Sequence, residues 1–127
     1  MHFESRYSRF NFDPVKYGAV IHYVIPQGLT FVAEKEGQIV GVFIGQVEEQ
    51  FFGNDLAAWD LVQYVSPEYR GHVGPRLIRE YIRRAKMFGI ADINIGISTA
   101  LEPERTGKLY ECLGFHRVGG TYAMENK

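Results

Sequence analysis

The part of this 127-residue chain that most limits its fold lies between Ala58 and Ile97. A β-rich run at residues 58–65 feeds a short loop at 66–73. An amphipathic segment follows at 74–88, then a run at 92–97 in which Ile93, Ile95 and Ile97 alternate. Strand, helix and strand in that order predict a parallel pair, because parallel strands need a long crossover and the right-handed one packs back onto the sheet. Within the helix, Leu77, Ile78, Tyr81, Ile82 and Ala85 share one face, while Arg79, Glu80, Arg83, Arg84 and Lys86 fall largely on the other. Pro75 suits its start, Gly89 its C cap, and the late basic residues its dipole.

The flanks add antiparallel elements. Asp13-Pro14 reads as an N-cap followed by proline at the first helical position, opening a helix over 14–24 that stops before Pro26-Gln27-Gly28. Runs at 29–34 and 39–47, joined by Lys35-Glu36-Gly37-Gln38, predict a hairpin, and 50–56 a connecting loop. A short helix over 104–113 closes at Gly114, and 115–118 with 121–124 read as a last hairpin around Gly119-Gly120. The first dozen residues, with Phe3, Tyr7, Phe10 and Phe12, show no clean period. The expected architecture is α/β: a central mixed sheet with helices on both faces.

Composition sets the outer limits. The length fits one domain over 1–127, and 46% hydrophobic with 23% charged residues is ordinary for a soluble globular protein. A net charge of −1 gives no global pull toward nucleic acid or an anionic membrane. The lone Cys112 cannot form an intramolecular disulfide, which suits a reducing compartment. No signal-peptide pattern and no apolar run near the roughly 20 residues of a membrane span appear, so the expected setting is cytoplasmic.

The loop Ser66-Pro67-Glu68-Tyr69-Arg70-Gly71-His72-Val73-Gly74-Pro75-Arg76 is the first place to look for chemistry. Unpaired backbone N–H groups and the positive end of a helix dipole meet there with little side-chain cover, which suits a phosphate. Arg76 in the first helical turn opposes the dipole, and an anion close by accounts for it.

That loop, together with Leu109-Tyr110-Glu111-Cys112-Leu113-Gly114-Phe115, resembles the GCN5-related N-acetyltransferase (GNAT) superfamily. The first motif looks like its Arg/Gln-x-x-Gly-x-Gly/Ala pyrophosphate loop, the second like its Leu-Tyr-Glu-Lys-Leu-Gly-Phe motif, and the resemblance runs from about Leu29 to Met124. It implies a splayed sheet whose cleft takes the pantetheine of acetyl-CoA. Backbone groups of Gln63, Tyr64 and Val65 would then follow the pantetheine. Arg70, Gly71, His72, Val73, Gly74, Pro75 and Arg76 would surround the pyrophosphate, and Tyr110 would stand near the sulfur. The acceptor implied is an amine on a small molecule or peptide, with no metal, and members of the family often form homodimers.

The chemistry fits these residue types. Amine attack on a thioester makes an oxyanion, which a strand N–H can stabilise. Expulsion of a thiolate needs only a mild acid, since a thiol titrates near about 8.5 and tyrosine near about 10. Asp60, on the cofactor strand, is the candidate base, with Glu48 and Glu49 as other carboxylates near the expected cleft. His72 serves the loop, His22 and His116 read as structural, and Cys112 as a small buried hydrophobe. Arg105 and Lys108 stand where an adenosine-side phosphate could be met, or simply as exposed cations.

Three departures from the family pattern stand out. With Gly74 matched to the last loop glycine, the loop is one residue short and Leu77-Ile78 keep their apolar register. Pro103 occupies the place of a frequent asparagine. The family's first strand is not evident before the Asp13-Pro14 helix, so it is expected to be missing. Two other readings stay open: a non-catalytic module of this fold that binds CoA or a partner, and a nucleotide-binding protein of another α/β class. The second lacks both the Gly-Lys-Ser/Thr and the Gly-x-Gly-x-x-Gly signatures.

Overall fold

The computed structural model describes residues 11–96 and 103–126. These fall into two units, 11–96 and 103–126. The first contains helix α1 (Pro14–Val24), strands β1 (Thr30–Lys35), β2 (Gln38–Glu49) and β3 (Leu56–Val65), helix α2 (Val73–Met87) and the short strand β4 (Asp92–Ile93).

The sheet runs β1-β2-β3-β4, with the first two pairings antiparallel and β3–β4 parallel. Hairpins make the first two and the α2 crossover makes the third, as connection length requires. Alternation along β2 assigns the faces. Val42 and Ile44 lie with Ile21 and Val24 of α1 and with Val62, whereas Phe43 packs against Tyr81 of α2 in a tilted arrangement at 4.6 Å between ring centres. Helices therefore cover both faces. Tyr81, Phe43 and Leu29 are the largest fully enclosed side chains. Each buries most of an aromatic or aliphatic group, roughly 1.5–3 kcal/mol of transfer free energy apiece.

The parallel pairing is brief. Ala57 and Ala58 oppose Asp92 and Ile93, the Asn94 N–H still donates to the Ala58 carbonyl at 2.9 Å, and then the strands part. The sheet is splayed, and the strand expected over 92–97 contracts to Asp92–Ile93 among the described residues. Ile97 and any strand ahead of α1 in residues 1–10 fall outside them.

The second unit holds α3 (Pro103–Cys112). The hairpin expected at 115–118 and 121–124 is not formed: residues 115–126 carry no strand, and Val118, Tyr122 and Met124 are exposed. Alternating hydrophobicity is a local preference, but a strand exists only with a ladder partner, and this segment has none among the described residues.

Candidate active site

The loop between β3 and α2 leaves backbone donors open. A 3-10 turn at Pro67–Tyr69 is followed by Arg70 in extended conformation and Gly71 at φ +106°. Gly71 is used because this left-handed conformation penalises any Cβ. His72 sits at the N-cap of α2 but its side chain caps nothing. Among the described residues, no hydrogen bond uses the N–H of Gly71, His72, Val73 or Gly74. Pro75 has no N–H to satisfy, so it adds no orphan donor.

Cations flank these donors. Arg70 folds back along β3: its Nε donates to the Val65 carbonyl at 2.9 Å and its guanidinium lies 5.5 Å from the Tyr64 ring centre. Lys35 at the end of β1 reaches the Tyr69 ring at 5.8 Å, and that ring meets His72 at 6.2 Å. Arg76 is exposed and makes no ion pair among the described residues.

A glycine on the neighbouring strand lets α2 begin this close to the sheet. A Cβ at Gly41 would lie 3.0 Å from Val73, 3.1 Å from Leu77 and 3.4 Å from the Tyr64 carbonyl. A glycine inside an otherwise β-rich run is the sequence signal for such an approach.

Strand β3 bends where the predicted site begins. Ile44 pairs with Val62 and Gly45 with Asp60, so Leu61 is skipped as a bulge. The bulge puts Leu61 and Val62 on the α1 face, where they line an open groove of about 310 Å³ with Phe12, Tyr17 and Val20. Gln63, Tyr64 and Val65 pair with Phe43, Val42 and Gly41 on one side. On their other side the β4 ladder has already ended.

Asp60 lies within this parting. Its Oδ1 accepts the Gly96 N–H at 2.9 Å and its Oδ2 accepts Gln63 Nε2 at 2.9 Å. Burial pushes its carboxyl above the ordinary 3.8, against the opposing pull of these hydrogen bonds. Tyr81 reaches the same segment, its hydroxyl donating to the Asn94 carbonyl at 2.6 Å. Burial, and then the nearby Asp60 charge, hold that phenol well above the usual range.

The second motif is a helix stop. Phe115 N–H donates to the Tyr110 carbonyl at 3.0 Å and Gly114 N–H to the Glu111 carbonyl at 3.1 Å. Gly114 is at φ +102°, and the Tyr110 and Phe115 rings lie 6.0 Å apart. This is a Schellman closure with its apolar contact, and it fixes Tyr110, which is buried. Cys112, expected inside, is exposed instead. It falls two residues after Tyr110, about 200° around the helix, and so on another face.

A profile described as the acetyltransferase (GNAT) domain matches residues 26–117. The chain belongs to this family. Comparison with curated proteins gives no significant match. Among solved structures, the chain is similar to an aminoglycoside 6′-N-acetyltransferase from Acinetobacter haemolyticus: TM-score 0.68, 17% identity, 98% of this chain and 89% of that one. It is also similar to glucosamine-6-phosphate N-acetyltransferase from Arabidopsis thaliana: TM-score 0.69, 15% identity, covering 93% and 82%. A third likeness is to AAC(6′)-Iy bound to the bisubstrate analogue CoA-S-monomethyl-acetylneamine: TM-score 0.73, 15% identity, covering 94% and 84%. At such identities these likenesses concern the fold. The GNAT chain described here has no helix among its described residues long and apolar enough to cross a membrane.

Proposed function

We propose that this GNAT chain, acting as one domain over 1–127, transfers acetyl from acetyl-CoA to a primary amine of a small molecule or peptide. The observation that carries the reading is the uncapped start of α2. The N–H groups of Gly71, His72, Val73 and Gly74 lack acceptors among the described residues, at the positive end of a helix and between Arg70 and Arg76. A pyrophosphate supplies the charge and oxygens that such a set needs. Gln63, Tyr64 and Val65 border the side of β3 where the sheet parts, which suits an extended pantetheine arm.

In the proposed reaction the neutral amine attacks the thioester carbonyl, the C–N bond forms, and the C–S bond breaks. Tyr110 gives its phenolic proton to the departing sulfur and regains one from water, while the proton shed by nitrogen passes to solvent. The family likeness and the Schellman closure that fixes the ring support Tyr110 in this role. The cytoplasm, with its reduced thiols, suits the exposed Cys112, and a homodimer is in keeping with the family.

Protein freed of copurified CoA should bind acetyl-CoA by calorimetry and gain thermal stability from it. A panel of amines with thiol-release detection should then identify an acceptor. Tyr110→Phe should lower kcat by about 10²-fold, within the usual range for losing a general acid, with CoA affinity unchanged. Absence of both binding and thermal shift would sink the proposal. Binding without turnover for any amine would favour a CoA-binding module.

A further inference from the structure

In a parallel ladder, N–H donors two residues apart on one strand reach carbonyls two residues apart on the next. Here the Asn94 N–H reaches the Ala58 carbonyl at 2.9 Å, so the next rung would join the Gly96 N–H to the Asp60 carbonyl. It does not. Gly96 donates at 2.9 Å to the carboxylate of Asp60. A side chain has replaced a backbone carbonyl in the rung, which widens the gap between the strands by its own reach.

The spacer is braced. Gln63, three residues further along β3 and past the Leu61 bulge, donates to the other carboxylate oxygen at 2.9 Å. From α2, the Tyr81 hydroxyl grips the Asn94 carbonyl at 2.6 Å, and Asn94 Nδ2 reaches back to the Ala58 carbonyl at 3.3 Å. The Leu61 bulge follows at once, turning β3 away. Both oxygens of Asp60 are engaged as acceptors in holding the fork, a different task from taking a proton from a passing amine.

We propose that Asp60 is a positioning residue, a side-chain rung that sets how far β3 and β4 part and thereby shapes the cleft for the acyl-pantetheine arm. The role of the fork in binding acetyl-CoA rests on the function proposed above, whereas the rung itself does not. Asparagine keeps an oxygen for Gly96, and the Gln63 amide can turn to present its own oxygen to the new NH₂. Alanine removes the rung.

Two measurements on the full chain separate the possibilities. Amide hydrogen exchange at Gly96 reports the rung without any assay of activity. It should be slow in the wild type and in Asp60→Asn, and at least about tenfold faster in Asp60→Ala, as expected for losing a charge-assisted hydrogen bond. In steady-state kinetics, Asp60→Ala should raise KM for acetyl-CoA by about tenfold. Asp60→Asn should restore KM and leave the pH profile of kcat/KM unmoved. A fall of kcat by about 10²-fold or more in Asp60→Asn, with KM unchanged and the basic-limb pH dependence lost, would make Asp60 the general base and overturn the proposal. Unchanged Gly96 exchange in Asp60→Ala would overturn it equally. If the wild type binds no acetyl-CoA, the cofactor reading fails, and Gly96 exchange alone decides the rung. If Asp60→Ala does not fold, Asp60→Asn decides: protected Gly96 exchange with a wild-type pH profile supports the rung, and loss of either overturns it.

Discussion

Helices α1 and α2 begin in opposite ways. At α1 the Asp13 carboxylate accepts the N–H groups of Val15 at 3.0 Å and Lys16 at 3.3 Å, and Pro14 removes a further donor. The dipole meets a resident negative charge and the end is closed. At α2 the N-cap residue is His72, its side chain caps nothing, and the first turn carries Arg76 where an acidic residue would be favourable. Both starts contain proline, but only Asp13 holds the extended backbone that suits an N-cap; His72 follows the left-handed Gly71 and sits at φ −125°, ψ −33°. One helix satisfies its own terminus, and the other leaves its first N–H groups without acceptors among the described residues.

The comparison can be broken most forcefully at Gly41. Gly41→Val would drive Cβ into Val73 and Leu77 and lift the α2 terminus from the sheet. It should cost about 1–3 kcal/mol of stability, measured by denaturant unfolding, and weaken acetyl-CoA binding in parallel. His72→Asp would convert the α2 start to the α1 kind. Stability should rise by about 0.5–2 kcal/mol, while acetyl-CoA affinity falls by about tenfold or more because a resident carboxylate competes for the same donors. Asp13→Ala makes the reverse change at α1. It should cost about 1 kcal/mol and leave acetyl-CoA affinity as it was.

The smallest effects concern pH, where two carboxylates of the unit act in opposite senses. Hydrogen bonds from Arg83 and then Arg84 hold Glu80 down at about 2. The stability it contributes is complete above its unfolded value near 4.5 and is lost as pH falls toward 2. Asp60 is raised by burial, so its contribution is complete below 3.8 and declines as pH rises through the folded value. Unfolding followed across pH should show Glu80→Gln flattening the acidic limb and Asp60→Asn flattening the rise-dependent loss.

Much of this fold was legible in local chemistry. Asp13-Pro14 marked α1 to the residue, since capping and proline placement act within one turn. The apolar stripe and Gly89 bounded α2, whose start at Val73 precedes the expected Gly74 by one position. The Leu-Tyr-Glu-Cys-Leu-Gly-Phe motif resolved into a physical object, a Schellman stop that aims one aromatic ring at another. What escaped the sequence depends on contacts between distant segments. Gly41 as clearance for α2, the Leu61 bulge, and the Asp60 rung to Gly96 each need a partner that no local pattern names. The unformed hairpin after Phe115 failed for the same reason, because alternation proposes a strand and only a neighbouring edge completes it.

Acetyl-CoA titration followed by backbone amide chemical shifts tests the pyrophosphate loop most directly. The amides of Gly71, His72, Val73 and Gly74 should shift most within the 11–96 unit and saturate together, while those of Val15 and Lys16 at the closed α1 start stay in place. Binding that leaves the Gly71–Gly74 amides unmoved, or moves both helix starts alike, would contradict it.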